Sequence, residues 1–250
     1  MTKYTINKAF EKSFPYPIWK IEVDCTKKCI AIEYRNPDNT LPTFSVFDFF
    51  GQDLLDSFEE KEKEWTLEAV QGDHLILKQF GSNTPIKEGI KIVHIPSKEI
   101  IYTGMEYILQ DVFDGYIKAA HRSIPSGLDF YINIPTGEIQ NHMITPAVYP
   151  LNHIHYPLPH TGKLPKFMQH LLVEDTIWLQ PFKDNFIWAY HTKTDDSYNL
   201  HLCLSSRTEI LDTTIILNNL AKLIPQPYFE VEEYIFFLSN TKQEIVAYLV

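Results

Sequence analysis

The chain has 250 residues, a mass of 29.2 kDa and a formal charge of −10. Apolar residues make up 44% and charged residues 22%, which excludes a wholly disordered chain. The acidic balance argues against nucleic-acid backbone binding and against docking on anionic lipid.

The length fits one large domain or two small ones. Ile outnumbers Ala 28 to 9, beside 16 Phe, 14 Tyr and 4 Trp. That balance leans to strands. No apolar core of signal-peptide length opens the sequence, and no apolar run approaches the ~18 residues of a membrane span, so a cytoplasmic protein is expected.

In chain order, residues 3–7 form a lone strand candidate. From residue 18, five segments share one grammar: an aromatic-led strand, a tight polar turn and a second apolar strand. The first spans 18–24, turns at Thr26-Lys27-Lys28 and returns over 29–34. The second spans 65–71, Gly72-Asp73 and 74–78, and the third spans 107–113, Asp114-Gly115 and 116–120. The fourth spans 177–182, Lys183-Asp184-Asn185 and 186–190, and the fifth spans 228–231, Glu232-Glu233 and 234–238. Gly-Asp, Asp-Gly and Asp-Asn offer the positive φ that tight hairpins need.

A third strand follows at 46–53, 92–99, 132–138 and 202–209, and a fourth at 54–55, 100–102, 139–140 and 210–211. The last unit has only three strands, ending with 244–250, and residues 3–7 are expected to supply its missing one. Four up-and-down strands per unit make a propeller blade. The expected fold is therefore all-β: a five-bladed β-propeller closed by the N-terminal strand, one domain over 1–250. The alternative is a two-sheet β-sandwich. The lead aromatics Trp19, Trp65, Tyr107, Trp178 and Tyr228 are expected in the core between blades.

The blade grammar is clearest at Ile-Val-His-Ile-Pro-Ser-Lys-Glu (92–99) and Ile-Asn-Ile-Pro-Thr-Gly-Glu (132–138). On these segments the chain resembles repeat propellers of the tryptophan-docking and pyrroloquinoline-quinone-like kind. It lacks the Gly-His and Trp-Asp signature of the tryptophan–aspartate repeat. As a whole it also resembles an uncharacterised Bacteroidetes family, a domain of unknown function with propeller-like repeats. The resemblance implies the fold and carries over no functional residues.

An insertion at about 141–170 holds His142, His153, His155 and His160 among Pro146, Pro150, Pro157 and Pro159. An extended His153-Ile-His155 places two imidazoles on one face, but the spacing matches no firm metal motif. A packed surface loop is expected, with His153, His155 and His160 as loop candidates for ligand contact and no metal or cofactor. Three positions beyond the lead aromatics lie Glu22, Glu68 and Gln110, which equal register would bring to one height on a central channel. Asp24, Asp111 and Glu230 are equally available.

Cys25, Cys29 and Cys203 are expected to be reduced, since three cannot all pair within one chain. The run 59–64 reads as a solvated connection. Segments 167–174 and 215–223 show partial helical spacing. Phosphate-cradling glycine loops and a nucleophile elbow are absent from the sequence. The functional expectation is a non-enzymatic binding or scaffold propeller, monomeric, presenting loops to a protein or small-molecule ligand, with no nucleic acid or membrane partner. The alternative is a carbohydrate-active hydrolase using carboxylates at the channel.

Overall fold

A computed structural model describes residues 5–80, 88–124, 128–141 and 154–250. Its regular structure is almost entirely antiparallel strand, in five separate sheets of four or five strands. That arrangement replaces the two-sheet sandwich. The chain divides into two compact units, 14–152 and 1–13 with 153–250.

The 14–152 unit contains three meanders. β1 (Asn7–Ser13) precedes it and belongs to the other unit. The first sheet runs β2 (Ile18–Asp24), β3 (Cys29–Arg35), β4 (Pro42–Asp48) and β5 (Asp53–Glu59). The second runs β6 (Trp65–Gln71), β7 (His74–Gln79), β8 (Gly89–His94) and β9 (Ile100–Gly104). The third runs β10 (Tyr107–Phe113), β11 (Tyr116–His121), β12 (Asp129–Asn133) and β13 (Ile139–Gln140).

Successive side chains of a strand point to opposite faces, and β7 shows what this builds. Leu75 and Leu77 join a buried cluster with Ala31, Phe44 and Val46 of the first sheet. Ile76, between them, joins a second cluster with Ile117, Phe130 and Ile132 of the third. The middle sheet is thus apolar on both faces, which explains why its strands read as near-continuous apolar runs.

Polar side chains also stitch neighbouring sheets. Fully buried Asp24 ends β2 and accepts hydrogen bonds from the backbone N–H of Thr26 and Lys27 in its own turn. Its other oxygen accepts the N–H of Gly72, 2.8 Å away in the next sheet's turn. Gln71 ends β6 and does the same one sheet further on, accepting the N–H of Gly115 at 2.7 Å and donating to the carbonyl of Phe113. Gly72 and Gly115 hold φ of +59° and +74°, a left-handed conformation that glycine adopts without strain. Buried Glu33 accepts from Arg35 Nε at 2.6 Å, Thr66 Oγ1 at 2.7 Å and the N–H of Leu67 at 2.8 Å. Arg35 in turn donates to the carbonyls of Lys63 and Trp65.

The other unit holds two sheets. β14 (Ile154–His155) and β15 (Leu158–Pro159) come from the insertion, followed by a 3-10 turn at Lys166–Met168. β15 edges the fourth sheet, β16 (Glu174–Phe182), β17 (Asn185–Thr194), β18 (Ser197–Ser205) and β19 (Ile210–Leu220). β14 edges the fifth, β20 (Phe229–Val231), β21 (Tyr234–Leu238) and β22 (Glu244–Leu249), with β1 on its far side. Trp178, Ile187, Ala189 and Leu202 of the fourth sheet share a buried cluster with Tyr228, Ile235 and Phe237. Trp188, Tyr190 and Cys203 face the other way, onto Met168.

Several expectations change. The N-terminal strand does pair antiparallel with β22, but it spans Asn7–Ser13 instead of 3–7. The backbone N–H of Ile6 donates to Asp212 Oδ2 at 2.8 Å, and residues 1–4 lie outside the described residues. Trp19 is 68% exposed, whereas Trp65, Tyr107, Trp178 and Tyr228 are buried. A β-bulge between Ile18 and Lys20 leaves Trp19 without a register partner, and buried Ile18 takes the inward place. Residues 215–220 belong to β19, whose three register shifts break the period-2 pattern and imitate helical spacing. The insertion is more than a surface loop, since it contributes two edge strands. Its residues 142–153, including His142 and His153, lie outside the described residues. In the charge run 59–64, Glu60 is buried and ion-paired with buried Lys91, so that part is not solvated. In the fourth hairpin the positive φ falls on Lys183, at +52°.

Candidate functional site

The first strands of the first two sheets bring Glu22 and Glu68 together, through a lysine. Lys20 lies two residues before Glu22, and period 2 places both on one face of β2. Lys20 Nζ is 3.1 Å from Glu22 Oε1 and 3.5 Å from Glu68 Oε2, and it donates to the carbonyl of Leu67 at 2.8 Å. Lys78 on β7 reaches Glu68 Oε2 at 2.6 Å. The result is a half-buried cluster of two ammonium and two carboxylate groups. Glu68 occupies a bulge between Leu67 and Ala69, which frees its side chain from the register of β6. Burial raises the Glu22 carboxyl above its ordinary value, and the Lys20 charge pulls it part of the way back.

Gln110 also occupies a bulge, on β10, and stands exposed outside this cluster. Glu22 lies in regular register, opposite Ala31. Equal spacing in sequence therefore did not give equal register. Asp24 is committed to turns. Asp111 is exposed, with one carboxylate oxygen accepting the N–H of Val112. The lysines were missed, though Lys20-Ile-Glu22 carried a legible signal: opposite charges two apart on a strand.

The insertion's histidines lie on edge strands of two different sheets. His155 is exposed and pairs across strands with Glu230. Glu230 is buried, and burial lifts its carboxyl to about 7. His160 packs edge-on against Trp188, with ring centroids 5.3 Å apart. His191 is fully buried and accepts the N–H of Ile224, and burial lowers its pKa. The cysteines are free, as expected. Burial lifts the thiols of Cys29 and Cys203 to about 12 and about 11, which leaves them poor nucleophiles. No helix is long and apolar enough to cross a membrane among the described residues.

No protein-family model and no curated protein matches the sequence. Among solved structures, the chain is similar to the β-propeller domain of the Trilobed protease from Pyrococcus furiosus, with 15% identity over 93% of this chain and 81% of that one, at a TM-score of 0.36. An uncharacterised protein from Listeria monocytogenes gives 10% identity, 90% and 76% coverage and a TM-score of 0.34. An acylaminoacyl peptidase from Pyrococcus horikoshii gives 8% identity and a TM-score of 0.33, covering 88% of this chain and 35% of that one.

Proposed function

We propose that the five sheets are blades of a single five-bladed propeller, with β1 completing the last, and that the protein is a binding module. Five sequential meanders joined in order, and the pairing of the first strand with the last, support this arrangement. The ligand site is the Lys20–Glu22–Glu68–Lys78 cluster, and the observation that carries the reading is its internal charge balance. Two donors and two acceptors, already neutralising one another, suit a polar ligand without net charge, which exchanges hydrogen bonds with the cluster and strands no ion.

A hydrolase is the second reading, favoured by one observation. Two carboxylates meet at Lys20, and burial raises the Glu22 carboxyl above its ordinary value, as a general acid requires.

A thermal-shift screen of neutral oligosaccharides and peptides tests both, because a ligand bound to the native state raises its melting temperature. A stabilising ligand whose shift disappears in Glu22→Gln and Lys20→Met, with no turnover, supports the binding module. A shift that survives both substitutions removes the cluster from the site. Turnover of an aryl glycoside by the parent, abolished in Glu22→Gln, replaces the binding module with the enzyme.

A further inference from the structure

A second polar feature of the 14–152 unit lies outside that cluster. Each of the five sheets has a residue pair where the start of its second strand faces the end of its third. The pairs are Cys29–Asp48, His74–His94, Tyr116–Asn133, Phe186–Ser205 and Tyr234–Leu249. Only the second sheet has histidine at both places.

The fold does not require the second histidine there. In the first and third sheets the third-strand residue caps the following turn. Asp48 Oδ1 accepts the N–H of Phe50 and Gln52, and Asn133 Oδ1 accepts that of Thr136. In the second sheet the same backbone turn closes by Lys98 N–H to the His94 carbonyl, and Ser97 Oγ takes the capping role at the N–H of Glu99. The His94 ring instead meets the hydroxyl of Ser97 in that turn.

It is also oriented. Ser97 Oγ donates its proton to Glu99 Oε2 at 3.1 Å. His94 Nδ1 lies 2.8 Å from the same hydroxyl, so the ring is held at Nδ1 and Nε2 is the nitrogen left to meet a ligand. A hydrogen-bonding partner on the other ring nitrogen is how outer groups orient metal-binding imidazoles.

We propose that His74 and His94 form a two-ligand site for a tetrahedral divalent transition metal, with zinc as the reference ion. The ring centroids are 5.4 Å apart. An ion held about 2.0–2.1 Å from each ligating nitrogen at a tetrahedral angle sets two imidazole centroids about 5.2 Å apart. Right-angle ligation by square-planar or octahedral ions requires about 4.5 Å. The observed separation is nearer the tetrahedral value. Among the described residues no group of three or more ligating side chains gathers, so water completes the remaining positions. Sequence reading passed over the pair because ligands on two different strands show no compact metal spacing.

The test is calorimetric titration of the full chain with zinc chloride, with magnesium chloride as control. One zinc is expected at this site, bound at least about tenfold more weakly by His74→Gln and by His94→Gln. Ser97→Ala should weaken it by about tenfold or more through the lost orientation. His155→Ala and His160→Ala should leave it unchanged. Zinc-induced shifts of the His74 and His94 imidazole resonances in the parent provide a readout independent of any variant's folding. Parent-like zinc affinity in His74→Gln, affinity lost in His155→Ala instead, or imidazole resonances that ignore zinc would overturn the site.

Discussion

The two compact units join their sheets by different chemistry. In the 14–152 unit, apolar clusters are supplemented by buried polar stitches: Asp24 to Gly72, Gln71 to Gly115, and Glu33 to Thr66 and Leu67. In the other unit, the fourth and fifth sheets meet mainly through aromatic and aliphatic packing centred on Trp178, Tyr228 and Phe237, with the Ile6 N–H on Asp212 and the exposed Lys183–Glu233 pair as polar contacts. Hydrogen bonds demand geometry, so stitched sheets have a fixed register to one another. Apolar packing tolerates repacking. The first unit is built for a defined arrangement of side chains across sheets, which is where the Lys20 cluster occurs.

The largest test of that contrast is Glu33→Ala. It leaves Arg35, Thr66 Oγ1 and the Leu67 N–H without their acceptor in a buried place, and should cost about 3–5 kcal/mol in urea unfolding. Unfolding at the parent's midpoint would erase the contrast. Trp178→Ala should cost a similar 3–5 kcal/mol by cavity formation. Trp19→Ala removes only an exposed ring over which Arg35 lies at 5.2 Å, and should cost less than about 1 kcal/mol. Equal losses from both would mean that the two lead aromatics do the same work.

Glu230 gives an effect of opposite sign. Its carboxyl is raised to about 7 in the folded state, by burial, from an ordinary value near 4.5. Between these values the folded chain binds the extra proton, so stability falls as pH rises from about 4.5 to about 7 and levels off above that. Glu230→Gln should therefore stabilise the protein at pH 8, on the order of 2 kcal/mol, and leave it unchanged at pH 4. Equal stabilisation at both pH values would show that proton binding is not the cause. The smallest effect is expected from the exposed Lys183–Glu233 pair, a 2.7 Å contact in the apolar-joined unit. Lys183→Ala should shift stability by no more than about 0.5 kcal/mol, and less in high salt.

The sequence made the hairpins legible because their turns carry Gly72 and Gly115 between alternating apolar residues, a signal confined to neighbouring positions. What depends on distant pairing was not legible. The bulges at Trp19, Glu68 and Gln110 shift register by one residue with no local mark, so equal spacing misplaced one lead aromatic and Gln110. Ile215 and Ile216 favour strand, yet the bulges of β19 concealed the alternation. Glu33 and Glu60 look like solvent-facing charges until their partners, Thr66 and Leu67 for one and Lys91 for the other, are brought alongside. Of the candidate site, the Glu22 and Glu68 carboxylates were read, and the lysines that define its chemistry were not.

The pairing of β1 with β22 has a consequence for how the protein is made. Nearly the whole chain separates these strands, and closing such a loop costs roughly 3 kcal/mol more entropy than closing a ten-residue hairpin. During synthesis β1 leaves the ribosome before β22 and waits until β22 follows. Until then β1 is an unpaired strand in search of an edge, and β22 of any neighbouring molecule offers the same register from Asn7↔Leu249 to Ser13↔Glu244. Crowded polysomes would favour exchange of β1 between copies, giving domain-swapped dimers from the same contacts that complete a single chain.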